Sequence, residues 1–268
     1  MGFRGSRVQI SPSRPSFPPS ASFLPRVARQ GAPVSAPARG VALVSGAGSG
    51  IGRACALALA GRGHALGVIG RRLAPLQAVL AEAGGAGLAV VADVRDAAAV
   101  EAAVRRIEAE VGPVELVVPA AGVACIAPFA ELSSQPFDEV VATNLLGCAN
   151  LLRAALPAML ARRRGSLVPI LSVAARRTFP GWSAYSASKW GLLGLVETLR
   201  EELAGSGLRI LALTPGATAS PLWDALPGEW DRGRMIPPEA VVAALLWGLE
   251  AEGAAVEEIR LRPLGGDL

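Results

Sequence analysis

From residue 41 onward the apolar positions follow two alternating rhythms. Short, mostly apolar runs over 41–44, 65–69, 88–92, 114–118, 166–171 and 208–214, and the shorter signal at 257–261, predict strands. Unbroken rather than alternating apolar character marks a parallel strand covered by helices on both faces. Between these runs, helical patterns extend over roughly 50–62, 73–83, 97–111, 136–164, 183–205 and 238–251. Pro157 predicts a kink in the long fourth helix. Ser183 reads as the N-cap of the fifth and Gly205 as its stop. Strands interleaved with helices, without an internal repeat or linker, predict the α/β class. The expected architecture is one doubly wound parallel sheet of about seven strands, flanked by helices on both faces, over residues 40–268.

Residues 1–39 do not share this pattern. They are rich in Ser, Pro and Arg, and no acidic residue precedes Glu82. Such a stretch buries too little apolar surface to offset its ordering entropy, so disorder is expected. Two other readings stay open: an Arg-rich, acid-poor transit peptide, whose amphipathic helix the prolines oppose, and an upstream frame wrongly joined to the gene. The formal charge of the 268 residues is +4. Beyond Gly40 the longest basic run is Arg162-Arg163-Arg164, with no aromatic ladder beside it, so nucleic-acid binding is not expected. Cys55, Cys125 and Cys148 stand singly, and there is one His, so neither a metal site nor a disulfide framework is expected. That usage suits a reducing, cytoplasmic compartment. The most apolar run, 116–132, is broken by Pro119, Gly122 and Pro128, and no membrane span is expected.

Two stretches carry candidate chemistry. Tyr185 and Lys189 are the only Tyr and the only Lys in the chain, four residues apart on a predicted helix. That spacing places both on one helix face. A phenol of pKa about 10 becomes a usable acid or base when a cation lies near it. The plainer reading is a Tyr at a helix start and a Lys on a solvated face. The second stretch, Ser45-Gly46-Ala47-Gly48-Ser49-Gly50-Ile51-Gly52, lies between a predicted strand and a predicted helix. There glycines let the backbone approach a pyrophosphate, and the helix N-terminus offers free N–H groups. At the end of the strand 65–69, Gly70-Arg71-Arg72 supplies arginines where an acid would favour NAD. NADP(H) is therefore the expected cofactor, with NAD(H) as the alternative.

Over roughly residues 40–265 the chain resembles the classical short-chain dehydrogenase/reductases (SDR), a Rossmann-fold family. The matching features are Gly46-x-x-x-Gly50-Ile51-Gly52, Asp93-Val94, Asn144, Ser172, Tyr185-x-x-x-Lys189 and Pro215-Gly216. The resemblance implies Tyr185 as general acid or base, with Ser172 orienting the substrate oxygen. It implies Lys189 holding the nicotinamide ribose and lowering the Tyr pKa, and Asn144 holding a water of the proton relay. It implies cofactor contacts from Gly46, Ser49, Gly50, Ile51, Gly52, Asp93, Val94, Ala121, Gly122, Tyr185, Lys189, Pro215, Gly216 and Thr218, besides Arg71 and Arg72.

The chain departs from that pattern at three places. Pro119-Ala120-Ala121-Gly122 stands where the family usually has Asn-Asn-Ala-Gly, and hydrogen bonds lost there cost about 1 kcal/mol each. Pro169 removes an N–H from the strand leading to Ser172, and Ser45 replaces the usual Thr. The substrate pocket is expected from Val123, Ala124, Cys125, Phe179, Trp182, Leu222, Trp223 and Trp230, the last three on a mobile segment after Gly216. This lining suits a medium-sized apolar carbonyl compound or secondary alcohol. Leucines on more than one face of the helices 136–164 and 183–205, together with the resemblance, point to a homodimer or homotetramer. The alternative function is an NAD(P)-binding sensor without catalysis, supported by Pro119-Ala120.

Overall fold

The structure, a computed structural model, describes residues 39–266. The expectations for the N-terminal stretch thus fall outside the described residues, except that Arg39 begins the first strand. In chain order the first elements are β1 (Arg39–Ser45), α1 (Gly50–Ala60), β2 (His64–Gly70), α2 (Leu73–Glu82) and β3 (Gly87–Val91). Next come α3 (Ala97–Glu110), β4 (Val114–Pro119), α4 (Ser134–Val141), α5 (Gly147–Arg162) and β5 (Gly165–Leu167). The last are α6 (Ser183–Glu202), β6 (Leu208–Ile210), β7 (Ala212–Pro215), α7 (Pro238–Glu250) and β8 (Glu258–Leu261).

Six parallel strands form the main sheet in the order β3-β2-β1-β4-β5-β6. Chain order reverses between β1 and β4, which places the crevice of a doubly wound sheet at their carboxyl ends. Side chains alternate between two cores. Leu43 and Val117 pack on one face with Ile107 of α3, Leu151 of α5 and Val196 of α6. Val44 and Val118 pack on the other with Leu59 of α1, Leu76 of α2 and Leu245 of α7. Each such large side chain, fully buried, contributes about 1.5–3 kcal/mol. In α3 the buried residues Val100, Ala103, Val104 and Ile107 follow helical spacing, and the Asp96 carboxylate caps its start by accepting from the Ala99 N–H at 3.0 Å.

The expected seventh strand is not part of the main sheet; β7 and β8 pair separately as a two-stranded parallel ribbon. Pro169 explains the break. The Leu211 N–H bonds Leu167 O at 2.9 Å and the Leu171 N–H bonds Leu213 O at 2.7 Å, so the register assigns position 169 as donor to Leu211 O. Proline has no N–H, and Leu211 is the residue that separates β6 from β7. A bond from the Leu213 N–H to Pro169 O at 3.1 Å keeps the ribbon beside the strand leading to Ser172.

The long helical region differs from expectation in a second way. Helix α5 runs through Pro157, and the irregularity lies earlier, in a π-turn over Ala142–Leu146 that contains Asn144. The Gly147 N–H closes that turn on Ala142 O. By length and composition Ser134–Arg162 suffices to cross a bilayer. Leu151, Leu152, Ala155 and Met159 are nevertheless buried in the sheet core, so the stretch acts as a core helix. At α6 the N-cap is Trp182 rather than Ser183, whose Oγ is buried without a hydrogen bond.

Candidate active site

A cavity of about 640 Å³ opens at the carboxyl ends of the strands, around the β1–β4 switch point. On one side it is lined by Gly46, Ser49, Gly50, Ile51, Gly52, Arg71, Arg72, Asp93, Val94, Ala121 and Gly122. On the other side lie Ser172, Tyr185, Lys189, Pro215, Gly216 and Thr218. All the expected site residues except Asn144 therefore face one space.

The glycine turn forms a close-fitting cradle. Gly46 has φ +65°, and a Cβ there would lie 2.7 Å from the Ala121 nitrogen. A Cβ on Gly52 would lie 2.4 Å from Gly46 O. Both separations are too short for a side chain, so the turn stays flat and the first N–H groups of α1 remain open to a ligand. Ser49 is exposed at the N-cap without a side-chain capping bond. Arg71 and Arg72 are exposed on the cavity rim after β2. Asp93 accepts from the Arg95 N–H at 3.0 Å and pairs with the Arg95 guanidinium at 2.6 Å, which holds its carboxyl below the usual range.

Tyr185 and Lys189 share one face of α6, with the Lys189 ammonium 5.6 Å from the Tyr185 ring centre. Ser172 ends the strand path after β5; its Oγ accepts from the Ala174 N–H at 3.1 Å, and it lines the cavity with Tyr185. Lys189 is 5% exposed and donates to Ile170 O at 2.8 Å. Burial pushes the Lys189 pKa down to about 8. Burial also pushes the Tyr185 phenol above its ordinary value, opposed by the neighbouring Ser172 hydroxyl. This reverses the expected direction for Tyr185. Desolvation dominates there, and Lys189, itself desolvated, is turned to the Ile170 carbonyl.

Asn144 lies behind the cavity wall, 1% exposed. Its Oδ1 accepts from the Val123 N–H at 2.8 Å, and its Nδ2 donates to Val123 O at 2.9 Å and to Ser188 Oγ at 3.1 Å. Ser188 Oγ in turn donates to Tyr185 O at 2.7 Å. The amide thus ties the loop after β4 to the Tyr185 turn of α6. It does this where Pro119-Ala120 provides no side-chain donor, helped by Ser45 Oγ, which accepts from the Ala121 N–H at 3.3 Å. Sequence reading did not single out Ser188, Pro75 or Leu76, the last two lining the cavity from the first turn of α2. A Ser one residue before Lys189 was the only available signal for the first of these.

Val123, Ala124, Phe179, Trp182, Leu222, Trp223 and Trp230 line the cavity as expected, whereas Cys125 does not. Trp223, Leu226 and Met235 form a small core of their own, packed against Trp182 and Trp230. The exposed Arg176 is paired with Glu258 at 2.8 Å.

A family model described as short chain dehydrogenase matches residues 40–229. A glycine betaine reductase of Emericella nidulans is 37% identical over 235 residues, 83% of this chain, which spans only 18% of that protein. A D-threitol dehydrogenase of Mycolicibacterium smegmatis is 35% identical over 228 residues, 81% of this chain and 87% of the relative. Among solved structures, an alcohol dehydrogenase of Thermococcus sibiricus in complex with 5-hydroxy-NADP is 29% identical. It superposes with a TM-score of 0.76, covering 84% of this chain and 96% of that one.

Proposed function

The chain belongs to the short-chain dehydrogenase family, enzymes that act on carbonyl or alcohol groups with a nicotinamide cofactor, and on that premise we propose that it interconverts an apolar carbonyl compound and its secondary alcohol with NADP(H). The observation that carries this reading is that Ser172, Tyr185 and Lys189 line one cavity with the glycine cradle, Tyr185 and Lys189 on one face of α6.

The residues present fit the cofactor. Gly46, Ser49, Gly50, Ile51 and Gly52 would hold the pyrophosphate at the start of α1. Arg71, with Arg72 in support, would hold the ribose 2'-phosphate, and Asp93, Val94, Ala121 and Gly122 would flank the adenosine half. Pro215, Gly216 and Thr218 would border the nicotinamide, with Tyr185 and Lys189 on its ribose. When bound, NADPH supplies the hydride taken up by the carbonyl carbon.

The chain's own residues handle the proton. Ser172 Oγ already accepts from the Ala174 N–H, so its own proton is free to point at Tyr185 or a substrate oxygen. The Tyr185 hydroxyl gives its proton to the carbonyl oxygen in reduction and takes it back in oxidation. A phenol held above its ordinary pKa is protonated at neutral pH, which favours its role as acid in carbonyl reduction. Asn144 positions Tyr185 through Ser188. Exposed Leu146, Trp190 and Trp247 support a homo-oligomer, and three free cysteines support a cytoplasmic location.

The test is NADPH consumption with a panel of apolar ketones. Turnover of at least one is expected; NADPH binding without turnover of any would leave a nucleotide-binding sensor instead.

A further inference from the structure

Two walls of the cavity meet beside a carboxylate that does not itself line it. One wall is the turn after Ser172. There Ser172 Oγ accepts from the Ala174 N–H at 3.1 Å, the Ala175 N–H bonds Ser172 O at 2.9 Å, and the Arg176 N–H closes on Val173 O at 3.0 Å. These bonds make a short, stiff connection from Ser172 to Arg176. The other wall is the end of β7, where Thr214 leads into Pro215 and Gly216, both in the cavity lining. The Leu171 N–H donates to Leu213 O at 2.7 Å, and among the described residues that is the last backbone hydrogen bond between the two walls. Ser172 and Pro215 therefore enter the site beyond the end of their ladder.

Glu258 of β8 links them again. Its Oε1 accepts from the Thr214 hydroxyl at 2.8 Å and from Arg176 Nε at 3.2 Å, and its Oε2 accepts from Arg176 Nη2 at 2.8 Å. Thr214 is fully buried, and the Glu258 side chain is 19% exposed. An exposed ion pair between two lone side chains contributes little. Here one carboxylate oxygen is shared by a buried hydroxyl and an arginine fork, so it fixes a spacing as well as a charge. Burial raises the Glu258 pKa, the Arg176 and Thr214 hydrogen bonds lower it, and the net direction is down, so the acceptor is ionised at neutral pH. Glu197 of α6 lies 3.7 Å from the same guanidinium and would draw Arg176 towards α6 if Glu258 were lost.

Resting on the reductase reading above, we propose that Glu258 and Arg176 are positioning residues: through the shared Oε1 they set the separation between Ser172, at the substrate oxygen, and the Pro215-Gly216 edge that borders the nicotinamide. Neither residue lines the cavity, so both act through the segments they join. Proton and hydride reach one carbonyl group from these two walls, and a misplacement of about 1 Å can slow such a step by about 100-fold.

The variants are Glu258→Ala, Glu258→Gln and Arg176→Ala. Gln keeps Oε1 with both of its bonds and loses the charge, so it separates a shared oxygen from a bare ion pair. The probe is 4-phenyl-2-butanone or, failing that, the panel ketone that the parent reduces. Glu258→Ala and Arg176→Ala are expected to slow its single turnover by about tenfold while the NADPH dissociation constant changes less than about twofold, and Glu258→Gln to stay within about threefold of the parent. A parent-like rate in either alanine variant, a Gln variant as slow as Glu258→Ala, or a dissociation constant that rises as much as the rate falls overturns the proposal. Amide hydrogen exchange at Ala174, Ala175 and Gly216 with NADP present reads the link without turnover: about tenfold faster exchange is expected in Glu258→Ala, and parent-like exchange in Glu258→Gln. Should the parent reduce no ketone, the reductase reading fails alone and exchange decides: faster exchange in Glu258→Ala that Gln restores upholds the link, and unchanged protection overturns it. If Glu258→Ala does not fold, Arg176→Ala, which leaves Thr214 its acceptor, gives both readouts.

Discussion

The Lys189 ammonium lies 5.6 Å from the centre of the Tyr185 ring and donates to Ile170 O rather than to the phenol. Buried there, Lys189 carries a pKa lowered from 10.5 to about 8. The folded state therefore holds that proton less tightly than the unfolded chain does. At pH below 8 both states are charged and the fold bears the desolvation cost; above 10.5 both are neutral and the cost is gone. The contribution of Lys189 to stability thus rises between those values. Urea midpoints of the parent and Lys189→Met should move closer, to the parent's advantage, as pH rises from 7.5 to 10. A constant gap across that range would contradict the assignment.

Burial of the Tyr185 phenol makes a separate prediction about activity. With its pKa above the ordinary value, the acid form prevails at neutral pH. Ketone reduction should be nearly flat between pH 6 and 9, whereas alcohol oxidation, which needs the phenolate, should climb with pH by up to about tenfold per unit. Rate profiles in the two directions check this. An oxidation rate that is flat from pH 6 to 9 would assign the base elsewhere.

On the proposed reading, Arg71 and Arg72 on the cavity rim would distinguish the two nicotinamide cofactors. A charged hydrogen bond to a phosphate contributes about 1.5–3 kcal/mol. Arg71→Ser should weaken NADPH binding by about tenfold or more and change NADH binding less than about twofold. Fluorescence titration with both cofactors reads the difference; equal losses would show a general effect on the cradle.

Asn144 makes three hydrogen bonds while 1% exposed. Removing them by Asn144→Ala should cost about 2–3 kcal/mol of stability. It should also lower kcat for ketone reduction more than it raises the NADPH dissociation constant, because the tie runs through Ser188 to Tyr185. Urea unfolding and steady-state kinetics test both parts. A variant as stable as the parent would remove Asn144 from its positioning role.

Strands β1 to β4 and helices α1 to α3 were legible in the sequence almost to the residue, because each has an unbroken apolar run or a clear helical face. The grouping of the candidate residues around one cavity was legible for the same reason, since they lie at strand ends and on one helix face. The misses all trace to tertiary contacts. The β6–β7 break follows from an N–H that Pro169 lacks opposite Leu211, a partner the local sequence does not reveal. The π-turn at Ala142–Leu146 surrounds the residue that bonds Val123 and Ser188, and no local propensity encodes those ties. The direction of the Tyr185 shift differs from expectation because the Lys189 spacing is visible in the sequence and the desolvation is not.

The most direct measurement is a single turnover of ketone reduction by Tyr185→Phe at saturating NADPH, beside its NADPH dissociation constant. Loss of a general acid is expected to slow the step by about 100- to 10,000-fold while NADPH affinity changes less than about threefold. A Tyr185→Phe variant that reduces ketone at a rate close to the parent's would contradict the account, since the proton would then come from a group other than the phenol beside Ser172.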